Sequence, residues 1–147
     1  MDKHSNRGIS GSAGAPKDVT LSSMFIRALS LALAPRHLQG TSIAHSQPTR
    51  TASFVKRLLS ACLSLPPRTT QQVLAFISTL VARDTRLEAL FTTEERCNNG
   101  RYRGDLDDPQ LANPWSTSAY EILVLCERHW DEGVRTEAAR LADLIRD

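Results

Sequence analysis

Apolar residues in this chain recur at helical spacing, nowhere at the strict alternation of a half-buried strand, and prolines punctuate the recurrences. From Thr20, the residues Leu21, Met24, Phe25, Ala28, Leu29, Leu31 and Leu33 fall largely on a 3.6-residue period, which Pro35 ends. A polar connection over residues 36–50 leads to a second run over residues 51–65, with Phe54, Val55, Leu58, Leu59, Cys62 and Leu65 as its buried stripe. Pro66 and Pro67 stop that run, and Thr69 or Thr70 caps a third carrying Val73, Leu74, Ile77, Leu80 and Val81. A shorter helical piece holds Leu87, Leu90 and Phe91. Residues 93–114, with two glycines, two prolines and many charges, form a long acidic loop. Either Asn113 before Pro114, or Ser118 with Glu121 as a capping box, opens a helix carrying Tyr120, Leu123, Val124 and Leu125. Asp131 caps the last helix, where Val134, Ala138, Leu141, Ala142 and Ile145 line one side. The expected fold is all-α: a helical bundle or a fragment of an armadillo/HEAT-like α-solenoid.

At 147 residues there is room for one ordinary domain, and 41% hydrophobic content supplies its core. Residues 1–18, rich in Gly, Ser and Ala without an apolar period, read as a flexible leader, and residues 19–147 as the helical domain. No apolar run reaches the ~18 residues of a membrane span, and the start has no apolar signal region. Three separated cysteines, Cys62, Cys97 and Cys126, argue against a disulfide framework and for a reducing compartment. The chain is therefore expected to be soluble and intracellular.

The net charge of +2 conceals an asymmetry. Residues 1–83 hold ten Lys and Arg against two acids, and residues 84–147 hold eight Arg against fourteen acids. Oppositely charged halves either pack on each other or face different partners. The residues Arg50, Lys56 and Arg57 form the best candidate basic patch for RNA or a partner.

No nucleophile–base–orienter set can be assembled. His4, His37 and His45 lie in the leader or the first connection, His129 lies near a helix end, and Cys62 sits on an apolar stripe. There is no phosphate-binding glycine motif and no paired Cys-x-x-Cys. Asp105, Asp107 and Asp108 resemble the start of a calcium loop, but Gln110 stands where its glycine belongs and no glutamate stands at its closing position. The expectation is no catalytic residue, no cofactor and no metal, with these carboxylates bonding to backbone N–H groups or to Arg101, Arg103 and Arg128.

Three ordered stretches carry a resemblance. The first is Phe54-Val55-Lys56-Arg57-Leu58 followed by Leu63-Ser64-Leu65-Pro66-Pro67. The second is Gly100-Arg101-Tyr102 through Asp107-Asp108-Pro109 to Asn113-Pro114. The third is Ser118-Ala119-Tyr120-Glu121-Ile122 with His129-Trp130 and Val134. Together they resemble the C-terminal domain of the CCAAT-binding-factor family of nucleolar proteins. Tyr120 stands where the family usually has Trp, and Asp131-Glu132 replaces its His-Pro. The resemblance implies a longer architecture, with armadillo-like helical repeats before this domain.

It also implies a non-enzymatic scaffold in the nucleus and nucleolus. Members of the family act in maturation and export of large-ribosomal-subunit precursors, as heterodimers with a second nucleolar complex protein. Contact with pre-ribosomal RNA would fall to Arg50, Lys56 and Arg57. The alternative it implies is a chromatin-associated adaptor in DNA replication initiation. Within this frame Gly100, Tyr102, Asp107, Asp108, Pro109 and Asn113 are expected to form a structural clasp, with Pro109 fixing the turn.

Overall fold

The computed structural model describes residues 20–33, 48–92 and 100–146. Five α-helices are present among them: α1 (Leu21–Ala32), α2 (Pro48–Cys62), α3 (Pro67–Arg83), α4 (Glu121–Arg128) and α5 (Glu132–Arg146). Three short 3-10 turns, Thr85–Leu90, Pro109–Leu111 and Pro114–Ser116, carry the chain from α3 to α4. No strand occurs among the described residues, so the fold is all-α. None of these helices is long and apolar enough to cross a membrane. The expected leader, the histidines at 4, 37 and 45, and Cys97 lie outside the described residues.

The core follows from the periodicity. Val55, Leu59 and Cys62 of α2, Val73, Leu74 and Ile77 of α3, and Val134, Ala138 and Leu141 of α5 are all sealed from solvent. Burying such side chains contributes roughly 1.5–3 kcal/mol each for Val, Leu or Ile relative to leaving them exposed. Helix α3 is the central element, packing against α1, α2 and α5, while α4 packs against α5 and α2. Leu87 and Leu90 of the first 3-10 turn close the end of the core.

The helix boundaries have local causes. Thr20 caps α1 by accepting the Ser23 N–H at 3.3 Å. Helix α3 starts three or four residues earlier than a cap at Thr69 or Thr70 implies, because Pro67 takes the first helical position, where a missing N–H costs nothing. Thr70 is consequently buried inside the first turn, its hydroxyl among the carbonyls of Cys62, Leu65 and Pro66. Asp131 caps α5 as its position predicts, accepting the Val134 N–H at 2.9 Å. The same carboxylate oxygen accepts from Gln71 of α3 at 3.1 Å. Gly133 permits that approach, since a Cβ there would meet the Gln71 amide nitrogen at 2.5 Å.

Two expected stripes are misplaced. In α1 only Leu29 and, partly, Ile26 are covered, together with Leu33 at its end, while Leu21, Met24, Phe25 and Leu31 face outward. In α4 the inward residues are Glu121, Ile122 and Leu125, whereas Tyr120, Leu123 and Val124 are exposed. The capping box between Ser118 and Glu121 does not form, because the Glu121 carboxylate is engaged elsewhere.

Candidate functional site

Lys56 belongs to the apolar stripe of α2, on the same side as Ala52, Val55, Leu59 and Cys62. A lysine there must either reach solvent or find a counter-charge, since a buried unpaired ammonium is costly. It finds Glu121 at the start of α4. The Nζ atom donates to Glu121 Oε1 at 2.8 Å and Oε2 at 2.7 Å, and to the Ser118 carbonyl at 2.8 Å. Its three donors are thereby used. Glu121 Oε1 also accepts from the Ser60 hydroxyl, one turn along α2, at 2.7 Å. The side chains of Lys56 and Glu121 are only 3% and 1% exposed.

Aromatic rings close the outer side. The ammonium lies 4.4 Å from the centroid of the Tyr120 ring and 5.9 Å from that of Tyr102, within the range of cation–π attraction. Tyr120 is thus an exposed residue whose ring covers a buried charge. An aromatic side chain is what this position requires, whether Tyr here or Trp in the family that the sequence resembles. Burial pushes the Tyr102 phenol above its ordinary value, and the neighbouring Arg57 guanidinium opposes that shift.

The irregular segment before α4 is tied to α2 by backbone carbonyls. Arg57 Nη2 donates to the Leu106 carbonyl, and the Ser53 hydroxyl donates to that of Pro109 at 2.6 Å. The Arg103 N–H donates to the Ala112 carbonyl at 2.8 Å, which holds the two arms of the segment together. Asp108 accepts the Gln110 N–H at 2.9 Å and so caps the turn beginning at Pro109. Gly100 (φ +125°) and Asn113 (φ 51°) take the left-handed backbone conformations that reverse the chain at either end. Trp115 Nε1 donates to Thr49 at 3.2 Å, and the Ala119 N–H to the Leu90 carbonyl at 2.7 Å. The positive first half and the negative second half therefore do contact each other, through Lys56, Arg57, Ser53 and Gln71.

This geometry corrects the expected basic patch of Arg50, Lys56 and Arg57. Lys56 is internal and cannot meet a phosphate while its pair is intact. Arg57 is partly buried and engaged with the irregular segment. Arg50 remains closest to the original picture, half-buried at 5.9 Å over the Phe54 ring.

Among the expected clasp residues, Gly100, Tyr102, Asp108, Pro109 and Asn113 all lie in the tied segment. Asp107 is exposed and makes no hydrogen bond to the described residues. Arg103 pairs with Asp105 at 2.8 Å, and that hydrogen bond holds the Asp105 carboxyl down at about 2. No group of three His, Cys, Asp or Glu side chains is placed to hold a metal ion among the described residues. Cys62 is sealed in the core, where burial pushes its thiol up to about 12, far from reactive thiolate. His129 accepts the Asp131 N–H and stacks against Trp130.

Sequence reasoning missed Glu121, Ser60 and the covering role of Tyr120. The signal was present: Lys56 stands at an apolar position of α2, and Glu121 adjoins Ile122 four residues before Leu125.

An all-helical domain, with an irregular segment locked over a buried Lys–Glu pair, is the class of protein this describes. The chain belongs to the CBF/Mak21 family, whose model matches residues 17–138. Over 93 residues it is 33% identical to nucleolar complex-associated protein 3 of Schizosaccharomyces pombe and, again over 93, 36% identical to nucleolar complex protein 3 of Drosophila melanogaster. It is 28% identical over 95 residues to nucleolar complex-associated protein 3 of Saccharomyces cerevisiae. These matches take in 62–63% of this chain but only 12%, 11% and 14% of the respective relatives. The chain thus spans about an eighth of the length of the curated relatives it matches.

Proposed function

We propose that this chain is a non-enzymatic component of a nucleolar complex and acts in ribosome biogenesis in the nucleus and nucleolus. The observation that carries the reading is family membership together with similarity to three proteins named as nucleolar complex proteins. The geometry supports a scaffold. Charged groups that could act chemically are instead consumed in fixing the fold: Lys56 and Glu121 neutralise each other, and Asp105 holds Arg103.

In this reading Gly100, Tyr102, Asp108, Pro109 and Asn113 form a structural clasp, with Lys56–Glu121 as its anchor on α2. Asp107 does not contribute a bond to it. The clasp gives the domain a stiff outer surface for docking to a second nucleolar complex protein and to precursors of the large ribosomal subunit. Contact with pre-ribosomal RNA, where it occurs, falls to Arg50 rather than to Lys56.

Affinity purification of the tagged chain from cells, with mass spectrometry and imaging, tests the proposal. Nucleolar signal and recovery of large-subunit precursors are expected. Recovery with chromatin and replication-initiation factors, with no pre-ribosomal particle, would replace it by the adaptor alternative.

A further inference from the structure

Helix α1 is apolar on two sides. Ile26 and Leu29, with Leu33 at the C-cap, serve the core where α1 packs on α3. On the other side Leu21, Met24, Phe25 and Leu31 are 84%, 56%, 41% and 73% exposed. At about 100° per residue, Leu31, Met24, Ala28, Leu21, Ala32 and Phe25 follow one another across a single stripe roughly 120° wide. Arg27, Ser23 and Ser30 are gathered on the remaining edge. A helix at a monomer surface needs an apolar stripe about 100° wide, and a helix whose apolar arc is about twice that has a second layer to meet. The four large side chains present on the order of 450 Å² to solvent, within the range of the largest patches on monomers, which are often functional.

We propose that this face is closed by the same face of a second copy of the chain, α1 packing on α1 about a two-fold axis near Ala28. The stripe contains no charged residue, so self-pairing brings no like charges into the seam, and Arg27 stays at the rim. Ala28 and Ala32 lie one turn apart at the centre of the stripe, where they let two helix backbones approach to about 8 Å. Leu21, Met24, Phe25 and Leu31 flank them and interdigitate. Complete closure of two such faces removes at most about 900 Å² from the large side chains, and the alanines and rim bring the contact to about 1,000 Å², the lower bound for a specific interface. An interface of this size fits an isologous, micromolar dimer.

Sedimentation equilibrium of the full 147-residue chain tests this. Between about 1 and 200 µM the mass is expected to rise from 16.3 kDa toward twice that value. Met24→Glu with Leu31→Glu should weaken association at least ~100-fold, because a glutamate in the seam loses its water without gaining a partner. Ser30→Glu, on the same helix but off the stripe, should leave the dimer intact, and circular dichroism checks that each variant is folded. Independently of those variants, Ala28→Cys should form a covalent dimer on mild oxidation, whereas Leu63→Cys on the α2–α3 turn should not. A wild type that is monomeric throughout overturns the proposal and gives the face to a different polypeptide. So does a dimer unaffected by Met24→Glu/Leu31→Glu, or a failure of Ala28→Cys to cross-link above the Leu63→Cys level.

Discussion

Replacing Glu121 by Gln removes the counter-charge of an ammonium that is 3% exposed and keeps the shape of the side chain. Lys56 Nζ then loses two charge-assisted bonds, at 2.8 Å and 2.7 Å, and retains the Ser118 carbonyl and the Tyr120 ring. Truncating one partner of a buried ion pair costs about 3–5 kcal/mol, because the other charge stays desolvated. The amide oxygen of Gln still accepts one bond, so the lower end of that range, about 3 kcal/mol, applies. For a domain of this size that corresponds to a fall in melting temperature of roughly 10 °C.

Thermal and urea unfolding followed by circular dichroism measure it directly. A companion variant separates charge from packing. Lys56→Met combined with Glu121→Leu replaces the pair by apolar side chains of similar volume, and such exchanges are often neutral or stabilising. The pair is therefore expected to recover most of the loss, so that in a double-mutant cycle the double change costs far less than the sum of the two single ones. A Glu121→Gln protein within 0.5 kcal/mol of wild type would refute the reasoning, as would additive effects of the two single changes.

Asp108→Ala removes the carboxylate that accepts the Gln110 N–H and should cost about 1 kcal/mol, a drop of several degrees in melting temperature. An unchanged melting curve would remove Asp108 from the clasp. Asn113→Val forces a β-branched residue into a left-handed conformation (φ 51°) and should destabilise by about 1–2 kcal/mol in urea titrations, while Asn113→Gly should be tolerated. Asp105, held at about 2 by Arg103, lies below its ordinary value of 3.8. Its contribution to stability is therefore fully present above about pH 4 and is lost as pH falls toward 2. In an NMR titration of the carboxyl carbons, Arg103→Gln should move the Asp105 midpoint back up.

Much of the fold can be read from local pattern. The prolines at 66 and 67, the cap at Asp131 and the stripes of α2, α3 and α5 sit where their spacing puts them, because each stripe has only one side that can be buried. In α1 and α4 the pattern is ambiguous. Leu21 to Leu33 offers apolar residues on two sides, so periodicity cannot say which of them meets α3. In α4, Tyr120, Leu123 and Val124 make as good a stripe as Ile122 and Leu125, and the choice falls to Glu121, drawn inward by Lys56.

The candidate site divides in the same way. Gly100, Asp108, Pro109 and Asn113 are residues whose own backbone chemistry marks a turn, and they form turns. The sequence alone therefore determined an all-helical chain with a stiff, turn-rich segment before its fourth helix. What Lys56 and Glu121 do was settled only by tertiary structure. They lie 65 residues apart, and nothing local distinguishes a lysine that reaches solvent from one that meets a carboxylate. Charge pairing at that separation depends on how helices pack, and once they pack, the low polarity of the interior leaves each charge the other and a few fixed groups, the Ser118 carbonyl and the Ser60 hydroxyl.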